Sequence, residues 1–316
     1  MAVTNFIQTI WSEKIQKDLE LKCKLVDNCL RSYEGDVKYA RTVKILGVGE
    51  PTISVYDGTT PLVYEAMKDK GQELVIDQAR AFSFFVDDIE QAQSVPGLKE
   101  EYQRKAVHGL AIQRDTYIAN LIKVANYVPT KDTTATSGKS YYTKTNETTY
   151  ASVTPASGAN PANLGYYEAA SAHVTTATAL TADAVKTAID AAIVALRERN
   201  FDEEGVIEIT PAVYNVFKNH LITLSTDNPD YIKKGIVGVY DDFRVIMSNN
   251  MAKDSTYAYC DIRGKKAIAF AGQINEVEAL RSHNLFQDLV RGLDTFGAKV
   301  IDQARIQVIK VPLAAG

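Results

Sequence analysis

The sequence has 316 residues, of which 46% are hydrophobic and 23% charged, and its formal net charge is −4. These values are typical of a globular chain of one large or two ordinary domains. The charge gives no basic field for nucleic acid or an anionic membrane, no apolar run is long enough to span a bilayer, and the N-terminus lacks a secretion signal. The three cysteines, Cys23, Cys29 and Cys260, form no CxxC pair. Their number argues against a disulfide framework or a zinc site and favours a reducing, cytosolic compartment.

An amphipathic helical arm is predicted at the N-terminus. Over residues 5–30, apolar side chains that include Ile7, Trp11 and Ile15 recur at helical spacing, and the opposite side is charged. We assign residues 1–40 to this arm.

A long β-hairpin is predicted next. Three β-rich runs, separated by glycine and proline, are expected to be strands: 41–48, 52–56 and 72–87. The stretch at 49–71 is polar and rich in turn residues, which indicates a two-stranded excursion away from the core. We assign residues 41–80 to this hairpin and its flanking strands.

A helix is predicted from Pro96 to residue 124, since a proline in the first helical turn loses no hydrogen bond. One apolar stripe follows the helix: Leu98, Tyr102, Ala106, Leu110, Tyr117, Leu121 and Val124. Charged side chains that include Glu100 and Arg114 are expected opposite this stripe. At 1.5 Å per residue the rod is about 45 Å long, so we expect it to brace an elongated subunit. We assign residues 81–126 to the unit around this helix, whose core is expected to include Phe82, Phe84 and Phe85.

The composition changes to threonine, serine, alanine and tyrosine over residues 127–168. So many aromatic residues favour a small β-rich module over a plain linker, and a partly disordered surface flap is the alternative. We assign residues 127–175 to this module, with these surface aromatics as candidates for a ligand contact: Tyr141, Tyr142, Tyr150, Tyr166 and Tyr167.

The remainder of the chain alternates between helical and strand patterns. Helices are predicted at 181–200 and 210–224, and a strand at 205–210. Further strands are expected within 233–251, 256–281 and 295–311. This order predicts an α+β domain that has one sheet with flanking helices.

Motifs for catalysis or cofactor binding are not found in the sequence. GVGEPT at 47–52 holds two of the three glycines of a dinucleotide loop, but Thr52 stands in place of the third. The sequence contains no phosphate loop, no GxSxG and no HExxH. Adjacent carboxylates such as Asp241 and Asp242 are typical of turns. We therefore expect no catalytic residue, no cofactor and no metal site, and we do not expect an enzyme.

The order of these parts resembles that of the major capsid protein of tailed bacteriophages, which has the Hong Kong 97-type fold. Four stretches carry the resemblance: IDQARAFSFFVDDIEQAQ (76–93), ITPAVYNVFKNHLI (209–222), GIVGVYDDFRVIMSNNM (235–251) and the section at 267–311 that contains RGLDTFGAKV. In the order given, these stretches resemble the junction between a strand and the spine helix, a helix of the axial domain, the axial sheet, and the return to the peripheral domain.

The resemblance implies an α+β subunit with a defined series of parts. These are an N-terminal arm (1–40), an extended loop (41–80), a peripheral domain with a spine helix (81–126), an inserted module (127–175), an axial domain (176–290) and a return to the peripheral domain (291–316). The implied function is structural: the chain self-assembles as hexamers and pentamers into an icosahedral virion shell around phage double-stranded DNA.

The resemblance also implies partners and contacts. The partners are copies of the chain, a portal protein and DNA bound without sequence preference, with no membrane, and assembly takes place in the bacterial cytoplasm. Because the sequence enters the arm directly after a methionine, we expect a separate scaffolding protein. Subunit contacts are expected on the projecting parts: Trp11, Pro51, Tyr56, Pro61, Lys68 and Lys70. Some relatives crosslink a loop lysine to a neighbouring asparagine, but solvated side chains are the simpler interpretation of Lys68 and Lys70.

Two other functions stay open at this point. An encapsulin-type nanocompartment would have the same fold and a protein cargo. A carbohydrate-binding surface protein is suggested by the tyrosine-rich segment, and it predicts a monomer whose binding depends on a glycan.

Overall fold

The computed structural model describes residues 23–34, 41–48, 69–87, 98–136, 139–156, 158–223, 238–281 and 287–313. The α-helices in these ranges are α1 (Leu98–Lys123), α2 (Ala182–Arg197) and α3 (Pro211–Thr223). The strands are β1 (Thr42–Val48), β2 (Asp69–Val75), β3 (Gln78–Asp87), β4 (Tyr127–Pro129), β5 (Tyr141–Asn146), β6 (Thr149–Val153), β7 (Tyr167–Ala169), β8 (Val174–Thr176), β9 (Gly205–Ile209), β10 (Val239–Tyr240), β11 (Phe243–Met247), β12 (Tyr257–Gly264), β13 (Ile268–Arg281), β14 (Gln287–Val300) and β15 (Ile306–Pro312). None of the described helices is long and apolar enough to cross a membrane.

The helices predicted at 96–124, 181–200 and 210–224 and most predicted strands are present, while residues 5–22 of the predicted arm helix lie outside the described residues. The run at 41–48 forms β1, the run at 72–87 divides into β2 and β3, and the run at 52–56 lies outside the described residues. Helix α2 ends three residues before the predicted limit of residue 200. Beyond the helix, the chain changes direction at Asn200. The φ of Asn200 is 59°, a left-handed conformation that asparagine tolerates better than most residues.

Three antiparallel strands in the order β13, β14, β3 form a sheet that packs on α1. Because side chains alternate across a strand, Phe82 and Phe84 pack against the core beneath the sheet, and Phe85 lies on the opposite face. The prediction that all three phenylalanines join the core is therefore wrong for Phe85, which is 60% exposed.

The second half of α1 is buried on more than one side. The prediction that Arg114 lies away from the apolar stripe is wrong, because only 4% of this side chain is exposed. Its guanidinium Nε donates to Asp294 Oδ2 at 2.9 Å, and it lies over the rings of Phe270 and Phe296. A buried guanidinium is stable here because a carboxylate from β14 pairs with it and satisfies its N–H groups.

Strands β1 and β2 form the stem of an antiparallel hairpin. The stem packs on Ala269 and Ala271 of β13, on the face of the three-stranded sheet that is opposite α1. Gly297 of β14 is required at this crossing, since a Cβ atom there would lie 2.3 Å from the carbonyl oxygen of Val75. Lys299 Nζ also donates to the Glu73 carbonyl oxygen at 3.0 Å. The stem is thus fixed to one end of this face.

A four-stranded sheet in the order β4, β7, β5, β6 follows α1. Its strands span residues 127–169, within the segment predicted to be β-rich. The predicted limit at residue 175 is too late, because β8 pairs in parallel with β15 and so belongs to a different sheet.

The largest sheet has the strand order β10, β11, β9, β12, β15, β8. Helices α2 and α3 pack on it, and α2 contributes side chains at helical spacing: Val185, Ala188, Ile189, Ala192, Ile193 and Leu196. The predicted boundary at residue 290 does not follow the strand pairing. Strand β13, from the 176–290 unit, lies in the three-stranded sheet, and β15, from the 291–316 unit, lies between β12 and β8.

Residues 23–30, which we call the root segment, lie between α1 and the largest sheet, and Cys23, Leu25, Val26, Asn28 and Cys29 are buried there. The helical pattern predicted for residues 5–30 does not extend here, because the only helical turn of the segment is a 3₁₀ turn at Val26–Asn28. Side chains distant in sequence bind its backbone instead. Asp115 accepts from the N–H groups of Lys24 and Leu25 at 3.1 Å each, and Arg263 donates to the carbonyl oxygen of Leu25 at 3.0 Å. The root segment is therefore part of the core rather than a projection.

Candidate functional site

The six predicted contact residues are mostly outside the described part of the chain. Trp11, Pro51, Tyr56, Pro61 and Lys68 lie there, and nothing further is stated about them. The backbone of Lys70 is described and pairs with Gly47 in the hairpin stem.

The described residues do show an exposed apolar surface, on the face of the three-stranded sheet that also carries the hairpin stem. Leu289 of β14 pairs directly with Leu280 of β13 on one side and with Phe85 of β3 on the other. Their exposed fractions are 38%, 45% and 60%, and Leu293 on the same face is 38% exposed. We call these four residues the apolar row. Exposed apolar side chains grouped on one face are typical of a surface that binds another molecule.

Charged pairs lie within and beside the apolar row. Arg291 Nε donates to Glu278 Oε2 at 2.6 Å, and this pair separates Leu293 from the other three residues of the row. Arg281 and Asp288 are paired at 3.1 Å where β13 ends and β14 begins. Exposed apolar residues together with paired charges are found in protein–protein interfaces.

The opposite face of the same sheet is packed against the core. Val290, Phe296 and Ala298 of β14 are buried against α1, and the Arg114–Asp294 pair joins helix and sheet between them. The alternation of exposed Leu289 and Leu293 with buried Val290 and Asp294 is not visible in the sequence, because the apolar leucines are the exposed residues and a charged aspartate is buried. The row itself could not be found there, because it combines three strands that are distant in sequence.

The tyrosines of the four-stranded sheet contact one another. The Tyr127 and Tyr150 rings are stacked with centroids 4.6 Å apart, and Tyr142 and Tyr167 meet them edge to face. The rings pack on one another and do not stand separately at the surface. The sheet therefore has a small aromatic core of its own.

Two of the predicted surface aromatics lie outside this ring cluster. Tyr141 was predicted at the surface, but it is buried and its hydroxyl donates to Asp132 Oδ2 at 2.8 Å while accepting from the Thr136 N–H. Such burial is possible because the hydroxyl has partners. Tyr166 is half-buried, and its carbonyl oxygen accepts from the Thr130 N–H at 3.0 Å.

The chemistry of the titratable groups is that of structural side chains. Burial raises the pKa of the Cys23 and Cys260 thiols to about 12 and that of Cys29 to about 11, so all three stay protonated and poorly nucleophilic. Among the described residues, no three His, Cys, Asp or Glu side chains are grouped to hold a metal ion. Asp241 and Asp242 lie in a left-handed turn, and Arg197 contacts Asp241 at 3.0 Å.

Comparison with known proteins gives fold similarity alone. No family model and no curated protein matches the sequence. Among solved structures, one from Mycobacterium phage Che8 is 22% identical, with a TM-score of 0.65 over 91% of this chain and 90% of that chain. The capsid structure of cyanophage P-SCSP1u is 15% identical, with a TM-score of 0.61 over 92% of this chain and 87% of that one. A virus-like particle from Pyrococcus furiosus is 10% identical, with a TM-score of 0.52 over 96% and 99%. The chain is therefore a mixed α/β protein with the fold of phage capsid structures.

Proposed function

We propose that this chain is the major capsid subunit of a tailed phage and that its copies assemble into an icosahedral shell around double-stranded DNA. The observation that carries the proposal is the fold similarity to a phage capsid, which covers 92% of this chain. The apolar row supports it, because a shell subunit needs surfaces that only a neighbouring copy covers.

The proposal gives each part of the chain a role. Helix α1 is the spine helix, the six-stranded sheet is the core of the axial domain, and the four-stranded sheet is an inserted module on the outer surface. The hairpin stem, together with residues 49–68, is the extended loop. Residues 1–40 are the N-terminal arm, which is anchored in the subunit by the root segment.

We propose a second copy of the chain as the occupant of the apolar row. The chain's own hairpin stem already covers the Gly297 end of this face, so the face accepts a β-hairpin laid across it. The extended loop of a neighbour can cover the other end in the same way, which places Pro51, Tyr56, Pro61 and Lys68 among the contacts. Each contact can be modest, because many repeated contacts act together in a closed shell.

The test is electron microscopy of the expressed protein and of two variants. Phe85→Ser removes the most exposed member of the apolar row, and Leu164→Ser, at a 54% exposed residue of the inserted module, is the matched control. We expect closed shells from the unmodified chain and from Leu164→Ser. Burying a phenylalanine contributes about 1.5 to 3 kcal/mol, so Phe85→Ser should raise the concentration needed for assembly by about tenfold or more. Equal assembly of Phe85→Ser and the control would contradict this role.

A shell around a protein cargo is the second candidate function. The similarity in fold to the virus-like particle from Pyrococcus furiosus favours it. Particles that enclose double-stranded DNA in an infected host would support the phage capsid. A single co-purifying protein inside the particles would support the compartment.

The remaining partners belong to the same proposal. They are hexamers and pentamers of the chain, a separate scaffolding protein, a portal protein and DNA without sequence preference, within a virion that forms in the host cytoplasm. Mass spectrometry of mature subunits should find an untruncated N-terminus if the scaffold is separate. Denaturing gels should show monomers if Lys68 and Lys70 form no crosslink.

A further inference from the structure

A cluster of charged side chains is buried under the root segment. Glu208 of β9 and Asp261 of β12 are direct cross-strand partners, and the side chains of both are 0% exposed. Arg263 donates to both Glu208 oxygens, with its terminal nitrogen 2.9 Å from Oε1 and 3.0 Å from Oε2. Asp261 Oδ2 lies 3.0 Å from Arg263 Nε without hydrogen-bond geometry, and both Asp261 oxygens lack a hydrogen-bond partner.

The charges of this cluster do not balance if both carboxylates are ionised. Arg263 is the one cation in direct contact with the pair among the described residues. Two carboxylates against one guanidinium would leave a net negative charge that is fully buried, which is far more costly than a neutral cluster. Two carboxylates that share a site therefore retain a proton.

The groups that face Asp261 from the surrounding elements leave this balance unchanged. β15 places Val308 opposite it, and the root segment contributes the neutral Cys29 thiol, 3.4 Å from Arg263. Arg244 of β11 is separated from the carboxylate pair by Asn28, to whose Oδ1 it donates at 2.6 Å. Asp115 of α1 binds the backbone on the other side of the root segment.

We propose that Glu208 and Asp261 share one buried proton and that loss of this proton to the solvent releases the root segment from the six-stranded sheet. Arg263 also donates to the carbonyl oxygens of Asn28 at 2.8 Å and of Leu25 at 3.0 Å. Asp261 faces the Nε of Arg263, so its ionisation draws the guanidinium away from these carbonyl oxygens and draws water to the cluster. β9 and β12 cannot yield, since each is paired on both sides within the sheet. Residues 23–29 can yield more readily, because side chains make their hydrogen bonds to the rest of the described chain, and Leu30 alone in the root segment pairs through its backbone, with Ile268 and Phe270.

The direction of the pH dependence follows from the cluster. Burial, and then the charge of Glu208, raise the pKa of Asp261 well above its ordinary value of 3.8. At a pH between the ordinary and the raised pKa of Asp261, the folded chain therefore binds more protons than the unfolded chain. The stabilising effect of this group is complete below pH 3.8 and is lost as the pH rises through the raised pKa. The inference concerns a single subunit and holds whether or not the chain assembles.

The three cysteines report on this movement. Cys23 and Cys29 are buried in the root segment, and Cys260 is buried in the core that the largest sheet forms with α2 and α3. The experiment is pulsed alkylation of the full chain between about pH 5 and about pH 9, with each cysteine quantified by peptide mass spectrometry. Each rate is divided by that of the same cysteine in the denatured chain at the same pH, which removes the intrinsic pH dependence of the thiol.

We expect normalised labelling of Cys23 and Cys29 to rise about tenfold or more with pH while Cys260 stays protected. Asp261→Asn cannot ionise, so its labelling should be low and independent of pH. If that variant does not fold, Glu208→Gln gives an independent test: with one carboxylate against Arg263 no net negative charge can build up in the cluster, so Cys23 and Cys29 labelling should not rise with pH. The proposal is overturned if labelling of Cys23 and Cys29 in the unmodified chain does not rise with pH, or if labelling of Cys260 rises in parallel. It is also overturned if both variants keep the rise in Cys23 and Cys29 labelling.

Discussion

The six-stranded sheet and the three-stranded sheet are built from similar residues but bury them differently. Every residue of β9 is buried, and so are seven of the eight residues of β12. In β14, by contrast, exposed and buried residues alternate from Leu289 to Asp294. The six-stranded sheet is covered on both faces by its own chain. The three-stranded sheet is covered on one face, and its other face is covered at one end.

The difference separates two sources of stability. The six-stranded sheet gains its stability within the subunit, through apolar burial and the buried ion pairs around Arg263. The end of the three-stranded sheet's outer face that the hairpin stem leaves bare gains nothing from burial until another molecule covers it. Substitutions in the first sheet should therefore unfold the subunit, and substitutions on the bare face of the second should leave the subunit folded but unable to associate.

The largest effect is expected for Arg263→Met. This change leaves Glu208 and Asp261 buried without a cation, so the free energy of unfolding should fall by about 3 to 5 kcal/mol. Denaturant unfolding of the dissociated subunit measures it. The matched control is Arg291→Met, which breaks an exposed pair on the bare face and should cost less than about 1 kcal/mol. Similar losses of unfolding free energy in the two variants would contradict the proposed difference between the sheets.

An intermediate effect is expected for Gly297→Ala, at the border between the covered and bare ends of the outer face. The added Cβ atom collides with backbone of β2, so we expect a loss of about 1 to 3 kcal/mol and a displaced hairpin stem. Gly109→Ala is a suitable control, since a Cβ there has nothing within 4 Å. An unchanged midpoint for Gly297→Ala in denaturant unfolding would contradict the close packing of the stem.

The smallest effect on unfolding is expected for Phe85→Ser, although its effect on assembly is large. Phe85 is mostly exposed in the isolated subunit, so the free energy of unfolding should change by less than about 0.5 kcal/mol. Denaturant unfolding of the dissociated variant provides this value. A loss comparable to that of Arg263→Met would mean that Phe85 supports the subunit core.

The sequence predicted the elements whose pattern is local. Helix α2 was predicted because its apolar residues recur at helical spacing and its end carries cations, and β1 because β-branched residues follow one another. The buried charges were not predicted. Arg114 reads as a solvent-facing residue until Asp294, 180 positions away, is placed beside it.

The same limit explains the root segment and the apolar row. Residues 23–30 continue a helical pattern in the sequence, but Asp115 and Arg263 bind the backbone in another conformation. Phe85 belongs to a run of aromatic residues that suggests a core, and only the pairing of β3 with β14 shows which face it occupies. These features depend on contacts between distant residues, which periodicity does not record.

The most direct test of the account is hydroxyl-radical footprinting of assembled particles and of dissociated subunits. The account predicts that Phe85, Leu280 and Leu289 are oxidised readily in the subunit and lose most of that reactivity in the particle. Leu164, on the proposed outer module, should react alike in both states. Equal oxidation of the apolar row in particle and subunit would contradict the claim that a neighbouring copy covers this face.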